Sequence, residues 1–317
     1  MSQSIDANRH YADPGMGSPF SLLDESAYLA WREQKLSDYP LNPADLLVNV
    51  GDPRDLDVAE HQAILKLLNK TNMAIYQSAD RSEDKQIPRY LGLQFGLRRL
   101  DPNMLADDDG ITSLQVVSGK SLRGYIPYSN KRLLWHTDGY YNVPEHRIRA
   151  LLLHCVRSAE HGGENSLLDP EIAYIHLRDE NPDYIHALMD ENVMTIPANE
   201  EIRGSGGSRP AQAGPVFSVD EATGRLHMRY TARTRSIVWA TDSLTKAAVN
   251  SLKTLLASDS KYIFTHKLTP GQGLISNNVL HNRRAFECID ETNRDRLLYR
   301  ARYYDAYDAA DRHAEGA

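Results

Sequence analysis

The stretch Leu133-Leu134-Trp135-His136-Thr137-Asp138-Gly139-Tyr140-Tyr141 places an imidazole and a carboxylate two residues apart, directly after a short apolar run. On an extended strand, residues i and i+2 point to the same face. His136 and Asp138 can therefore both reach one metal ion, with Thr137 turned away. A third ligand has to come from elsewhere in the chain. His281 is the candidate, at the end of Leu274-Ile275-Ser276-Asn277-Asn278-Val279-Leu280-His281, an apolar run that Gly271-Gln272-Gly273 introduces. A strand end opening into a pocket is a place where a ligand is useful.

The short motif has little weight alone. Twelve histidines and 43 acidic residues spread at random through 317 positions give about 1.6 His-x-Asp/Glu pairs. Two occur, the other being His313 and Glu315 in an Ala- and Asp-rich tail. The remaining histidines have plainer roles. His154 lies inside an apolar run and reads as a core residue, while His146, His161, His176 and His186 fall in loops or on polar helix faces. With His281 as the third member, two histidines and one carboxylate can occupy one face of a metal and leave the opposite positions open. That is the ligand set of non-haem Fe(II) oxygenases.

With 41% hydrophobic and 25% charged residues, the chain has an ordinary globular makeup. Its net charge of −7 argues against nucleic acid as the main partner. Cys155 and Cys288 are the two cysteines, so neither a disulfide framework nor a cysteine zinc site is expected, and a reducing cytoplasm is the default location. Met1 to Pro14 is polar, without the apolar core of a secretion signal. No run approaches the ~20 apolar residues of a membrane span. The sequence leaves the subunit count open, a homo-oligomer included.

Residues 1–25, rich in Gly, Pro, Ser and Asp, read as an irregular lead-in. Helical spacing is expected over 26–36, 55–69, 88–97, 170–178, 182–189 and 242–256. Strands are expected at 73–76, 114–117, 125–128, 133–138, 149–156, 262–268, 274–281 and 296–304, with a hairpin formed by 216–219 and 226–234. The fold class that follows is mainly β with flanking helices, a sandwich or jelly roll. Residues 26–317 form one domain in this reading, with 26–100 as a helical flank.

Arginine is the next feature. Six arginines lie between Arg283 and Arg302 in a chain that is acidic overall. Strand parity puts Arg296, Leu298, Arg300 and Arg302 on one face, and a guanidinium offers carboxylates a planar, two-pronged donor that stays charged when partly buried. A solvated edge paired with Glu287, Asp290 or Asp295 is the plainer explanation. A tight turn at Gly162-Gly163, followed by Glu164-Asn165, is the last motif; alone it is a hairpin.

Together, Trp135-His136-Thr137-Asp138, Gly162-Gly163-Glu164-Asn165, Asn278-Val279-Leu280-His281 and Arg296-Leu297-Leu298-Tyr299-Arg300-Ala301 resemble the taurine dioxygenase / clavaminate synthase-like family of Fe(II)- and 2-oxoglutarate-dependent oxygenases. They span about 115 to 305 in the family's order. The resemblance implies a double-stranded β-helix (jelly-roll) core. It also implies Fe(II) held by His136, Asp138 and His281, with 2-oxoglutarate and O₂ as cosubstrates and succinate and CO₂ as products. Arg296 would pair with the distal carboxylate of 2-oxoglutarate, and Arg300 beside it would serve the cosubstrate or an anionic substrate. The family usually has Thr after the Gly-Gly turn; here Asn165 stands in its place, with an amide able to donate a comparable hydrogen bond. A narrower likeness links Gly214-Pro215-Val216-Phe217-Ser218-Val219 and His227-Met228-Arg229-Tyr230 to the glutarate hydroxylases. On such a strand Arg229 and Arg233 share a face, and if it lines the pocket, the substrate is a small carboxylate or other anion.

Two other functions fit parts of this pattern. A zinc-type metal-dependent hydrolase would use the same three ligands with a water in the open position, leaving the Arg296 and Arg300 strand without a task. A non-catalytic small-acid sensor on the same fold would bind its ligand without forming succinate.

Overall fold

The computed structural model describes residues 13–102, 109–116, 126–199, 209–221, 223–287 and 296–307. Cys288 and the His313/Glu315 pair lie outside these residues. So do parts of the expected lead-in and of the strands expected at 114–117 and 125–128.

From the N-terminus the elements are α1 (Glu25–Leu36), β1 (Leu47–Asn49), α2 (Val58–Thr71), β2 (Met73–Gln77), α3 (Gln86–Gln94), β3 (Thr112–Leu114), β4 (Leu133–His136), β5 (Ala150–Arg157) and β6 (Asn165–Leu168). There follow α4 (Pro170–Glu180), α5 (Pro182–Leu188), β7 (Met194–Ile196), β8 (Gln212–Gly214), β9 (Phe217–Val219), β10 (Leu226–Met228), β11 (Val238–Trp239) and α6 (Ser243–Ala257). The last strands are β12 (Phe264–His266), β13 (Gln272–Ser276), β14 (Leu280–Arg283) and β15 (Leu297–Tyr303).

The helices begin where their caps dictate. Asp24 accepts from Ala27 N and Asp242 from Thr245 N, while Asp57 and Glu60 form a reciprocal capping box at α2, each satisfying an N–H left free at a first turn. Asn72, with φ 58°, ends α2 in the left-handed region, which Asn tolerates better than most residues.

The chain divides into two compact units. One comprises the described parts of 1–39, 170–202 and 206–260. It holds α1, α4, α5 and α6, the three-stranded sheet β11-β7-β8 and the β9–β10 hairpin. The other comprises the described parts of 40–169 and 261–317 and contains two larger sheets, a six-stranded one in the order β1-β2-β13-β5-β15-β3 and a four-stranded one in the order β12-β6-β14-β4. Apart from the parallel β1–β2 pair, their strands are antiparallel. Successive strands of this unit alternate between the sheets: β4 lies in the small one, β5 in the large, β6 and β12 in the small, β13 in the large, β14 in the small and β15 in the large. Such alternation is the winding of a double-stranded β-helix, so the expected jelly-roll core is present.

β15 shows how the unit is layered. Leu297, Tyr299, Ala301 and Tyr303 pack into a core with Ile64 and Leu68 of α2, Leu91 of α3, Tyr76 of β2 and Leu152 of β5. At roughly 1.5–3 kcal/mol per fully buried large side chain, this face holds the two helices against the large sheet. Gly92 lets α3 approach closely, since a Cβ there would lie 2.5 Å from Tyr303 Oη. The alternate residues Arg296, Leu298, Arg300 and Arg302 are buried on the opposite side.

Several boundaries differ from expectation. Residues 126–128 form a 3₁₀ turn instead of a strand, consistent with Pro127 lacking an N–H for a ladder. The run 274–281 is two strands in different sheets, broken at Asn277-Asn278. The strand expected over 133–138 ends at His136, and Asp138 lies in the following turn. Residues 26–100 contribute α1 to one unit and α2, β2 and α3 to the other. The short strands β1, β7, β8 and β11 span two or three residues, too few for a period-two pattern to register.

His154 is a core histidine. Its Nδ1 hydrogen-bonds the buried Tyr76 hydroxyl at 2.9 Å, and its ring stacks with Tyr76 and Tyr299. Burial pushes its pKa down from 6.5 to about 4. Between these values the unfolded chain takes up a proton that the folded one refuses, so stability falls as pH drops through that window. The difference corresponds to about 3 kcal/mol at full effect. Urea denaturation from pH 7 to pH 4 should show wild type losing stability faster than His154→Gln, so that the gap between them narrows as the pH falls.

Candidate metal centre

β4 and β14 are antiparallel neighbours, and His136 stands directly opposite His281 in their register. The ring centroids are 4.2 Å apart. Each Nδ1–H donates to a carbonyl two residues back in the chain, His136 to Leu134 O at 2.9 Å and His281 to Val279 O at 2.8 Å. That fixes ring orientation and leaves Nε2 as the basic nitrogen, the arrangement expected of a metal-binding imidazole. His136 Nε2 lies 3.5 Å from Asp138 Oδ1. Ligand atoms of His136, Asp138 and His281 all fall within 4.8 Å of one another.

All three residues are buried. Burial by itself would raise the Asp138 carboxyl, but the nearby Arg300 guanidinium foremost, then His136, Arg302 and His281, hold it well below the usual carboxylate range. Burial pushes His281 down to about 4, so its imidazole is neutral, the form that can ligate. Arg300 Nη1 stands 3.4 Å from Asp138 Oδ2, at ion-pair distance but without hydrogen-bond geometry, and Oδ2 has no hydrogen-bond partner among the described residues. A buried carboxylate with an unpartnered oxygen, grouped with two imidazoles whose ligand atoms lie within 4.8 Å, fits a metal ion. The N,N,O donor set suits the iron of a facial-triad site.

The Asp138–Arg300 pair joins the two sheets, one member following β4 and the other on β15. Farther along β15, Arg302 pairs with Asp101 and donates to Tyr141 Oη at 3.0 Å, and Tyr304 Oη donates to Asp101 Oδ1 at 2.7 Å. Arg296 lines a small pocket with Ser158, Gly163, Asn165, Lys267 and Leu298. Its guanidinium lies 5.2 Å from the Phe286 ring centroid, and burial pushes its pKa down to about 10. It makes no hydrogen bond or ion pair among the described residues. Asn165 Nδ2 donates to Asn282 O at 2.8 Å, leaving one N–H and the carbonyl for the pocket.

Arg229 and Arg233 belong to the other unit. Arg229 Nη1 donates to Met194 O and Gly214 O, and Nη2 to Gln212 O, at 2.8–3.2 Å. These donors thus tie the end of the β9–β10 hairpin to the backbone of β7 and β8. Arg233 is half-buried at the start of a 3₁₀ turn.

Some residues of the site escaped the sequence reading. Arg283 is buried and donates to Ser129 O and Lys131 O, each at 2.6 Å, closing the loop before β4. Asp101 and Tyr141 carried no motif. Asn278, with φ 51°, did leave a signal, an Asn-Asn step inside an apolar run, because Asn favours left-handed turns.

Comparison with known proteins bears directly on this arrangement. The family described as taurine catabolism dioxygenase TauD, TfdA family, matches residues 37–302. The chain belongs to the TauD/TfdA family. A uridine-5'-phosphate dioxygenase of Amycolatopsis sp. is 32% identical over 184 residues, covering 55% of this chain and 61% of that enzyme. The chain therefore matches less than two thirds of that relative's length. Among solved structures, asparagine oxygenase aligns with a TM-score of 0.56 at 15% identity, over 82% of this chain and 93% of that one. The non-heme iron oxygenase OrfP, in complex with Fe and alpha-ketoglutaric acid, aligns with a TM-score of 0.57 at 16% identity, over 82% and 83%. These likenesses establish the TauD/TfdA jelly-roll fold.

The electrostatics can be tested away from the ligands. Arg302→Met strands a buried Asp101 and should cost about 3–5 kcal/mol. Pairing it with Asp101→Asn should recover much of that loss, measured as urea midpoints of the two single variants and the double variant.

Proposed function

We propose that this protein is an Fe(II)- and 2-oxoglutarate-dependent dioxygenase that hydroxylates a small anionic organic substrate. The observation that carries this is the convergence of His136, Asp138 and His281 in a unit that also holds a buried Arg296 with no anionic partner among the described residues. A buried guanidinium is costly unless paired, and the distal carboxylate of 2-oxoglutarate supplies the pair. His136 Nε2, Asp138 and His281 Nε2 would hold the iron on one face. When bound, iron with 2-oxoglutarate and O₂ supplies the oxidation, which converts R–H, 2-oxoglutarate and O₂ into R–OH, succinate and CO₂.

The chain's own residues bind and orient. Arg296, with the free amide hydrogen of Asn165 beside it, fixes the far end of the cosubstrate by charge-assisted hydrogen bonds, so that its keto acid end meets the site in one pose. Arg300, next to Asp138, keeps that carboxylate ionised and offers its remaining donors to the substrate's anionic group. This role suits Arg300 better than Arg229, whose donors are occupied by backbone carbonyls. A phosphate monoester is the first substrate class to try, because the Amycolatopsis relative is named for uridine 5'-phosphate. No helix among the described residues is long and apolar enough to cross a membrane; the proposed setting is the cytoplasm, on the scarcity of cysteine. A zinc hydrolase would leave Arg296 without an anion, and a sensor would have no use for the ligand set.

Two measurements test this reading. Succinate formation should require both Fe(II) and 2-oxoglutarate, and Arg296→Ala should raise the KM for 2-oxoglutarate by at least about tenfold, the loss of one charge-assisted contact. An unchanged KM removes Arg296 from its role. Anaerobic addition of candidate acids and phosphate esters, uridine 5'-phosphate first, should perturb the Fe(II)–2-oxoglutarate charge-transfer band only for molecules that reach the site. Activity in zinc-reloaded protein without 2-oxoglutarate would overturn the proposal.

A further inference from the structure

The chain leaves the large sheet at Ser276, the last residue of β13, and enters the small sheet at Leu280 in β14. Asn278 sits at the middle of this crossing with φ 51°. Its side chain is buried and its amide is well used. Oδ1 accepts from Asp138 N at 2.8 Å, while Nδ2 donates to Asp138 O and to Ile148 O, each at 2.9 Å. Two of the three bonds grip the N–H and C=O of one residue, as a neighbouring strand would. No strand does so there, because β4 ends at His136.

We propose that Asn278 is a positioning residue for Asp138, and not only the residue that turns the chain. The inference rests on the reading of Asp138 as a metal ligand. The grip ties a ligand from one segment to the segment that carries His281, three residues beyond Asn278 and 143 beyond Asp138. Ligands supplied by distant parts of a chain keep their geometry only if their backbones are held in one frame. The bond to Ile148 O adds a third segment, the approach to β5. Gly139 belongs to the same packing, since a Cβ there would lie 2.4 Å from Ile148 Cγ1.

The turn and the grip can be separated by one substitution. Glycine adopts positive φ at no steric cost, so Asn278→Gly preserves the turn and removes all three hydrogen bonds. Co(II) affinity is read by visible absorption titration on the full chain, with circular dichroism confirming the fold. Asn278→Gly should bind Co(II) about 10- to 100-fold more weakly, the range for losing a partner that orients a ligand. It should also displace the Fe(II)–2-oxoglutarate charge-transfer band. Asn277→Ala, which removes a bond to Asn72 in the same crossing, should leave Co(II) affinity unchanged. Should Asn278→Gly fail to fold, Asn278→Asp decides: it tolerates the same φ and keeps the acceptor but loses both donors, and it too should weaken Co(II) binding. Wild-type affinity in a folded Asn278→Gly, or in Asn278→Asp where the glycine variant does not fold, would overturn the proposal. So would an equal loss in Asn277→Ala. A wild-type chain that took up no Co(II) would instead overturn the ligand reading, and this inference with it.

Discussion

Arg300 and Arg302 on β15, with Arg296 just before it, bury three guanidinium groups, and the rest of the site is an answer to that charge. Taking a cation out of water costs several kcal/mol unless an anion meets it. Asp101 meets Arg302 and Asp138 meets Arg300. Arg296 alone of the three has no carboxylate among the described residues. An acidic dianion bound in its pocket, as proposed for 2-oxoglutarate, would complete the balance. The same strand can bear this load because its other face is secured by Leu297, Tyr299, Ala301 and Tyr303 in the core.

The winding of the chain between sheets makes the site possible. In a double-stranded β-helix each sheet holds strands from distant parts of the sequence, so His136 and His281 become cross-strand neighbours although 145 positions separate them. Antiparallel neighbours on one face approach within about 4.5–5.5 Å at Cβ, close enough for two imidazoles to share one ion. Asp138 reaches the same point by a different route, from a turn past the strand end, where the pleat no longer dictates direction. That contrast explains why the carboxylate, more than either histidine, needs side-chain bonds to hold its backbone.

Much of this was legible in the sequence, for identifiable reasons. His136, Arg296, Arg300 and Arg302 follow from residue spacing, because strand periodicity survives in four to seven residues of the right type. Asp138 lies in a turn past the strand end, and the same-face argument does not reach it. The six helices of the described residues were legible in their apolar spacing. The break at Asn277-Asn278 was hidden by the apolar residues on both sides, which read as one strand although they belong to two sheets. Asp101 and Tyr141 were invisible because their partners, Arg302 and Tyr304, lie about 160–200 positions away, and no local pattern encodes such a meeting. Arg283 was read only as part of a basic run; its task of bonding Ser129 and Lys131 carbonyls depends on a loop whose path the sequence does not reveal.

The spacing of the arginines also bears on what each one does. Four residues along a strand separate Arg296 from Arg300, about 13 Å between their Cα atoms at the usual rise. Their surroundings differ accordingly: Arg300 stands beside the Asp138 carboxylate, whereas Arg296 faces Gly163, Asn165 and Lys267 in a separate pocket. One small dicarboxylate cannot easily satisfy both guanidinium groups while also chelating a metal between the histidines. Under the proposed function, a cosubstrate anchored by Arg296 would leave Arg300 for a second anion, held beside Asp138. In that proposal the charge that would select the substrate is the same guanidinium that keeps Asp138 ionised.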